Sequence, residues 1–138
     1  VMKGYFKNDK ATKKAIKNGW MHSGDIGYKD NDGYFFVVDR INDMIIRGGV
    51  NIYPREIEEV IIKHPKISLV AVIGIPDQRM GEEIKAYIVL KKGEELTENE
   101  FKIWIKNELS GNKYPRKIEF VKKLPMNATG KILKRKLK

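Results

Sequence analysis

Apolar residues recur along this chain at two periods, and the period separates helix from strand. Pro54 opens a helix whose apolar face is Ile57, Val60 and Ile61, at i, i+3 and i+4. A second helix is marked by the capping box of Thr97 and Glu100, with Phe101, Trp104, Ile105 and Leu109 as its buried stripe. Near the start, Lys10 to Lys17 read as a short helix capped by Asp9 and ended by Gly19. Strands are expected at Ile26 to Tyr28 and Tyr34 to Val38, joined by the turn Asp30-Asn31-Asp32-Gly33. After a polar break over Asp39 to Asp43, a second hairpin pairs Met44-Ile45-Ile46 with Asn51-Ile52-Tyr53 around Gly48-Gly49. Leu69 to Ile75 and Ile84 to Leu90 read as apolar strands separated by Pro76 to Gly81. Ile118 to Val121 is a last strand, and Ile132, Leu133 and Leu137 suggest a short terminal helix. The predicted fold class is α+β, a small and mostly antiparallel sheet flanked by helices.

Composition narrows the options. With 138 residues there is room for one domain, or for a small domain and a piece of another. Hydrophobic residues at 41% and charged residues at 33% describe a globular chain. There is no cysteine, which removes disulfides, thiolate metal sites and thiol nucleophiles together, and two histidines do not make a zinc site. The longest apolar run is too short to span a bilayer and no signal peptide is visible, so a cytoplasmic location is expected, with peripheral contact to membranes left open. The net charge of +10 is uneven: between Lys113 and Lys138 ten basic residues face the single acid Glu119. Such an end points to phosphate, on a nucleotide, a nucleic acid or a membrane, or else to a solvated lysine-rich surface.

Three motif readings fail on chemistry. Thr129-Gly130-Lys131 ends like a P-loop, but Pro125 stands where a Walker sequence needs Gly and Ile132 where it needs a hydroxyl. Gly48-Gly49 lacks the third glycine of a dinucleotide fingerprint. Gly24-Asp25-Ile26-Gly27 has the form of a KH loop, yet its far side reads as a strand and not a helix. Phe101 and Trp104 could stack on bases, but their helical spacing assigns them to a core.

A spaced set of polar and glycine features remains. It comprises His22-Ser23-Gly24-Asp25, Asp39-Arg40-Ile41-Asn42-Asp43, Arg47-Gly48-Gly49-Val50-Asn51-Ile52-Tyr53-Pro54-Arg55-Glu56-Ile57-Glu58, and Leu124-Pro125-Met126-Asn127-Ala128-Thr129-Gly130-Lys131-Ile132-Leu133. In this order they resemble the C-terminal signature motifs of the adenylate-forming superfamily, which includes acyl-CoA synthetases, luciferases and peptide-synthetase adenylation domains. The resemblance covers nearly the whole chain. Asp43 to Gly49 and Tyr114 to Val121 are most similar to fatty-acyl-CoA ligases.

The resemblance implies a two-step reaction. A carboxylate such as a fatty acid attacks the α-phosphate of ATP, accompanied by Mg2+, to give an acyl-adenylate and pyrophosphate; the thiolate of coenzyme A then displaces AMP to give the thioester. It also implies a large N-terminal domain, of which residues 1–39 would be the end, a hinge at 40–43, and a C-terminal lid at 44–138 that rotates between the half-reactions. The phosphate loop, the acyl pocket and most Mg2+ ligands would belong to the large domain, so the chain alone is expected to be inactive.

Roles follow residue by residue from the same resemblance. Lys131 would bridge carboxylate and α-phosphate during adenylation. Asp25 would hold the ribose hydroxyls and Arg40 the ribose and phosphate. Gly48 and Gly49 would border the pantetheine channel, and Arg116 would meet a phosphate of coenzyme A. Asn42 would be the hinge, where the family usually has Asp or Lys; Asp39 stands where it often has Gly, and Met80 where relatives often have an aromatic residue. No nucleic-acid partner is expected on this reading. A basic RNA-binding module is the alternative of another class, and the lid of an enzyme loading a carrier-protein pantetheine is the alternative within the superfamily.

Overall fold

The computed structural model describes residues 2–109 and 111–137. The chain divides into two compact units between Asn42 and Asp43.

The first unit holds a helix and two small hairpins. Helix α1 spans Asp9–Ala15. Its N-cap is Asn8, not Asp9: the Asn8 side chain accepts from the Ala11 amide at 3.0 Å, and Asp9 sits in the first turn, where its charge suits the helix dipole. The helix also ends sooner than its lysine run suggested. Ile16–Lys17 (β1) pairs with Trp20–Met21 (β2) across Asn18-Gly19, both at positive φ, so the turn stops the helix. Asp25–Lys29 (β3) and Phe35–Arg40 (β4) form the expected antiparallel hairpin, with a register shift between Ile26 and Gly27. Asp39 is the one described residue of this unit that is buried, whereas Phe6, Trp20, Tyr34 and Phe35 are exposed. Among the described residues, therefore, this unit has no apolar core of its own.

The second unit is built on a five-stranded sheet. Ile45–Arg47 (β5) and Val50–Ile52 (β6) form a hairpin, followed by helix α2 at Pro54–Ile61. Ile67–Asp77 (β7) and Gly81–Leu90 (β8) pair over nearly their whole length. Both strands run further than their apolar stretches, taking in Pro76-Asp77 and Gly81-Glu82-Glu83; Pro76 is tolerated because β7 lies at the sheet edge. Helix α3, Glu98–Glu108, then returns the chain so that Lys117–Phe120 (β9) pairs parallel to β8. The second edge of β8 is thus shared between β5, at Arg47 opposite Gly81, and β9.

Alternation along β8 puts Ile84, Ala86 and Ile88 on one face, in a core with Ile57 and Ile61 of α2 and Phe101 and Ile105 of α3. Phe101 is fully buried and Trp104 packs against this core, as their spacing required. The capping box forms: the Glu100 amide donates to Thr97 Oγ1 at 3.2 Å and the Thr97 amide to Glu100 Oε2 at 2.8 Å. Ala71 and Ile73 point the other way and are also buried. On that side Tyr87 donates through its hydroxyl to the Leu137 carbonyl at 3.2 Å, so the C-terminal segment lies over it. In place of a terminal helix there is one 3-10 turn, Lys134–Lys136.

Candidate functional site

Lys131 is exposed on a small hairpin of its own. Buried Leu124 anchors the incoming chain, Leu133 donates its amide to the Pro125 carbonyl at 2.8 Å, and Met126 and Ile132 make an antiparallel bridge. Between them, the Gly130 amide reaches the Asn127 carbonyl at 3.0 Å, and Gly130 has φ +79°. A turn followed by a left-handed glycine is a standard hairpin closure and needs a residue without Cβ strain at that point. Asn127 Oδ1 accepts from the Thr129 amide at 3.1 Å, the Thr129 hydroxyl at 2.8 Å and the Lys131 amide at 2.8 Å. The loop before Lys131 is thus tied by Asn127. The outgoing chain is fixed by Lys134, whose ammonium lies 2.8 Å from Glu58 of α2; the same carboxylate oxygen accepts from the Val72 amide at 2.7 Å.

Asp25 and Arg40 are brought together. They are cross-strand partners at the open end of the β3–β4 hairpin, and Arg40 Nε donates to Asp25 Oδ1 at 3.2 Å. Both side chains keep substantial exposure, 54% for Arg40 and 38% for Asp25, so a permanent cation and a carboxylate are offered side by side to solvent. Asn42 follows in an exposed turn.

Gly48 and Gly49 form the tip between β5 and β6, at φ +56° and +80°, which the two-residue turn itself demands of glycine. Their surroundings differ. A Cβ at Gly48 would come within 2.7 Å of Met80 Cε, and the Gly48 amide donates to the Met80 carbonyl at 2.8 Å, whereas nothing lies within 4 Å of a Cβ at Gly49. Gly48 therefore seats the tip on the β7–β8 turn, and Gly49 leaves backbone open to an approaching ligand.

Arg47 was not singled out by sequence, because a buried arginine is invisible without its partner. Its guanidinium forks onto Glu83, Nε to Oε1 at 2.7 Å and Nη2 to Oε2 at 3.0 Å, and Nη1 reaches Asn112 at 3.3 Å. Burial pushes the Glu83 carboxyl up. The Arg47 hydrogen bond, the Ile84 amide and the charges of Arg47 and Arg116 outweigh that and hold it below the usual carboxylate range. The pair clamps the Gly48-Gly49 tip to β8. Arg116 is exposed and lies over the Tyr114 ring at 4.7 Å, its amide donating to the Ile84 carbonyl at 3.1 Å. Among the described residues no group of three His, Cys, Asp or Glu side chains could hold a metal ion, and no helix is long and apolar enough to cross a membrane.

Residues 56–131, from the first turn of α2 to Lys131, match the profile of the AMP-binding enzyme C-terminal domain. The chain belongs to this family. Among curated proteins, it is 47% identical to the feruloyl-CoA synthase of Amycolatopsis over 97% of the chain and 27% of that enzyme. It is 44% identical to the long-chain-fatty-acid–CoA ligase of Bacillus subtilis over 99% of the chain and 24% of that enzyme. Among solved structures, the o-succinylbenzoate CoA synthetase of Bacillus subtilis, in complex with its acyl-adenylate intermediate, superposes with a TM-score of 0.91 at 40% identity, covering 100% of the chain and 28% of that protein. The chain thus spans about a quarter of the length of the relatives it matches. The α+β fold with a small, mostly antiparallel sheet is shared with this solved relative. The relatives' names agree on coenzyme A and differ in the acid: feruloyl, long-chain fatty and o-succinylbenzoate.

Proposed function

We propose that this chain is the C-terminal part of an AMP-forming acid–thiol ligase, in which Lys131 serves the first half-reaction. The observation that carries the reading is the presentation of Lys131, an exposed cation at the tip of a hairpin that fixes its backbone on both sides. Joining a carboxylate to the α-phosphate of ATP brings two anions together and builds negative charge on phosphorus. A fixed ammonium between them opposes both effects, the more so where water is excluded.

The remaining residues take roles around that step. The Asp25 carboxylate accepts from the ribose hydroxyls and Arg40 contacts ribose and phosphate, a division that suits the chemistry of each group. Residues 1–39 are the end of a large adenylation domain, whose surface covers the exposed aromatic side chains of this segment. Residues 40–43 are the hinge, with Asn42 absorbing the dihedral change, and 44–138 form the lid. In the second half-reaction the open backbone at Gly49 borders the pantetheine arm of coenzyme A, and Arg116 meets one of its phosphates. Mg2+ would enter with ATP and be held mainly by the large domain.

The acid is a fatty acid. This finer reading is supported by the wording of Asp43 to Gly49 and Tyr114 to Val121 and by the 44% identity to a long-chain ligase, against a 47% identity to a feruloyl-CoA synthase. The test is product analysis with the full-length enzyme, ATP, coenzyme A and three acids: a long-chain fatty acid, an aryl propenoic acid and a succinylbenzoate. AMP, pyrophosphate and thioester should form in equal amounts, with the fatty acid turned over fastest. ADP as product would overturn the reaction class, and preference for an aryl acid would overturn only the substrate.

A further inference from the structure

We infer that Asn127 is a positioning residue for the first half-reaction, setting the point from which the Lys131 side chain springs; the inference rests on the role proposed above for Lys131. Both backbone polar groups of Lys131 are held by this one residue. The Lys131 amide donates to Asn127 Oδ1 at 2.8 Å, and the Lys131 carbonyl accepts from the Asn127 amide at 3.0 Å. Two further bonds to Oδ1, from the Thr129 amide and hydroxyl, lock the turn between them.

A lysine side chain is long and flexible, so its reach is useful only if its Cα is fixed. A displacement of about 1 Å at a reacting group costs on the order of a hundredfold in rate. Position 127 is the first residue of a turn, where a short side-chain acceptor can close onto the amides ahead of it. Asparagine does so without charge. Aspartate would make the same bonds but would set an anion near the Lys131 ammonium, where two anionic substrates must approach.

Asn127 is exposed and outside the core, so its loss should loosen the hairpin without unfolding the unit. Two measurements test this. In the chain itself, amide hydrogen exchange of Asn127→Ala should show the Thr129 and Lys131 amides losing protection while Ile84, Ala86 and Ile88 keep theirs, and Asn127→Asp should restore it. In the full-length enzyme, Asn127→Ala should slow acyl-adenylate formation by about tenfold, the equivalent of one good hydrogen bond. It should spare thioester formation from supplied acyl-adenylate, and Asn127→Asp should recover part of the lost rate. Lys131→Ala, run alongside, separates the two readings. If it abolishes adenylation while Asn127→Ala leaves it unchanged, or if Asn127→Ala slows both half-reactions equally, the positioning role is wrong. If Lys131→Ala itself leaves adenylation intact, the proposal for Lys131 fails and this inference falls with it.

Discussion

His64 stands at the edge of the core, its ring 4.7 Å from that of Trp104 and 6.5 Å from that of Phe101. Its Nδ1 accepts from the Lys66 amide at 3.3 Å. Burial, and after it the charges of Lys66 and Lys91, lower its pKa below the ordinary 6.5. The sign of the consequence is fixed. Below pH 6.5 the unfolded chain takes up a proton on this residue that the folded chain still refuses, so stability falls as pH falls through that value. Glu83 behaves differently: its depressed pKa adds stability above the ordinary 4.5, and this is lost only in stronger acid. Melting temperatures between pH 7 and 5 should therefore decline in the native chain and stay nearly flat in His64→Gln. An equal decline in both would mean that another group carries the effect. At this scale the sequence was informative where chemistry is local and silent where it is paired. Asp25, Arg40, Arg47 and Lys131 all lie in the quoted motifs, but nothing in them shows that Arg47 pairs with Glu83, 36 positions away, which it meets only through the pairing of β5 with β8.

Among the elements, those specified by neighbouring residues were legible. The Thr97–Glu100 capping box, the Asp30–Gly33 turn and the Gly48-Gly49 turn each occur where their residues demand. The elements misjudged depend on distant chain. The lysine run after Asp9 can extend a helix, but the pairing of β1 with β2 ends it at Ala15. Ile132, Leu133 and Leu137 have a helical spacing, yet the segment carrying them is drawn out over the sheet, bound by the Tyr87 hydroxyl and by Glu58. Glu58 joins three elements, since one carboxylate on α2 receives the Val72 amide on β7 and the Lys134 ammonium of the tail, with both charged side chains mostly covered. Glu58→Ala should therefore cost about 2 kcal/mol, the range for a buried donor that loses its acceptor. Glu58→Gln, which keeps an acceptor for Val72, should cost less. Urea unfolding measures both, and wild-type stability in Glu58→Ala would show that the tail is not held this way.

In the whole molecule, charge and apolar surface are divided unevenly between the two units. The first unit exposes Phe6, Trp20, Tyr34 and Phe35, while the second carries a closed core and seven of the ten excess positive charges. Under the proposed function the large domain covers the first set; the chain spans about a quarter of the length of its relatives. On the proposed function, Lys131 acts in one half-reaction and not in the other. This is tested most directly by measuring both in the full-length enzyme, ATP–pyrophosphate exchange for adenylation and thioester release from supplied acyl-adenylate for transfer. Lys131→Ala should lower the first by on the order of a hundredfold and leave the second nearly unchanged. Equal loss in both steps, or full activity in the first, would contradict it.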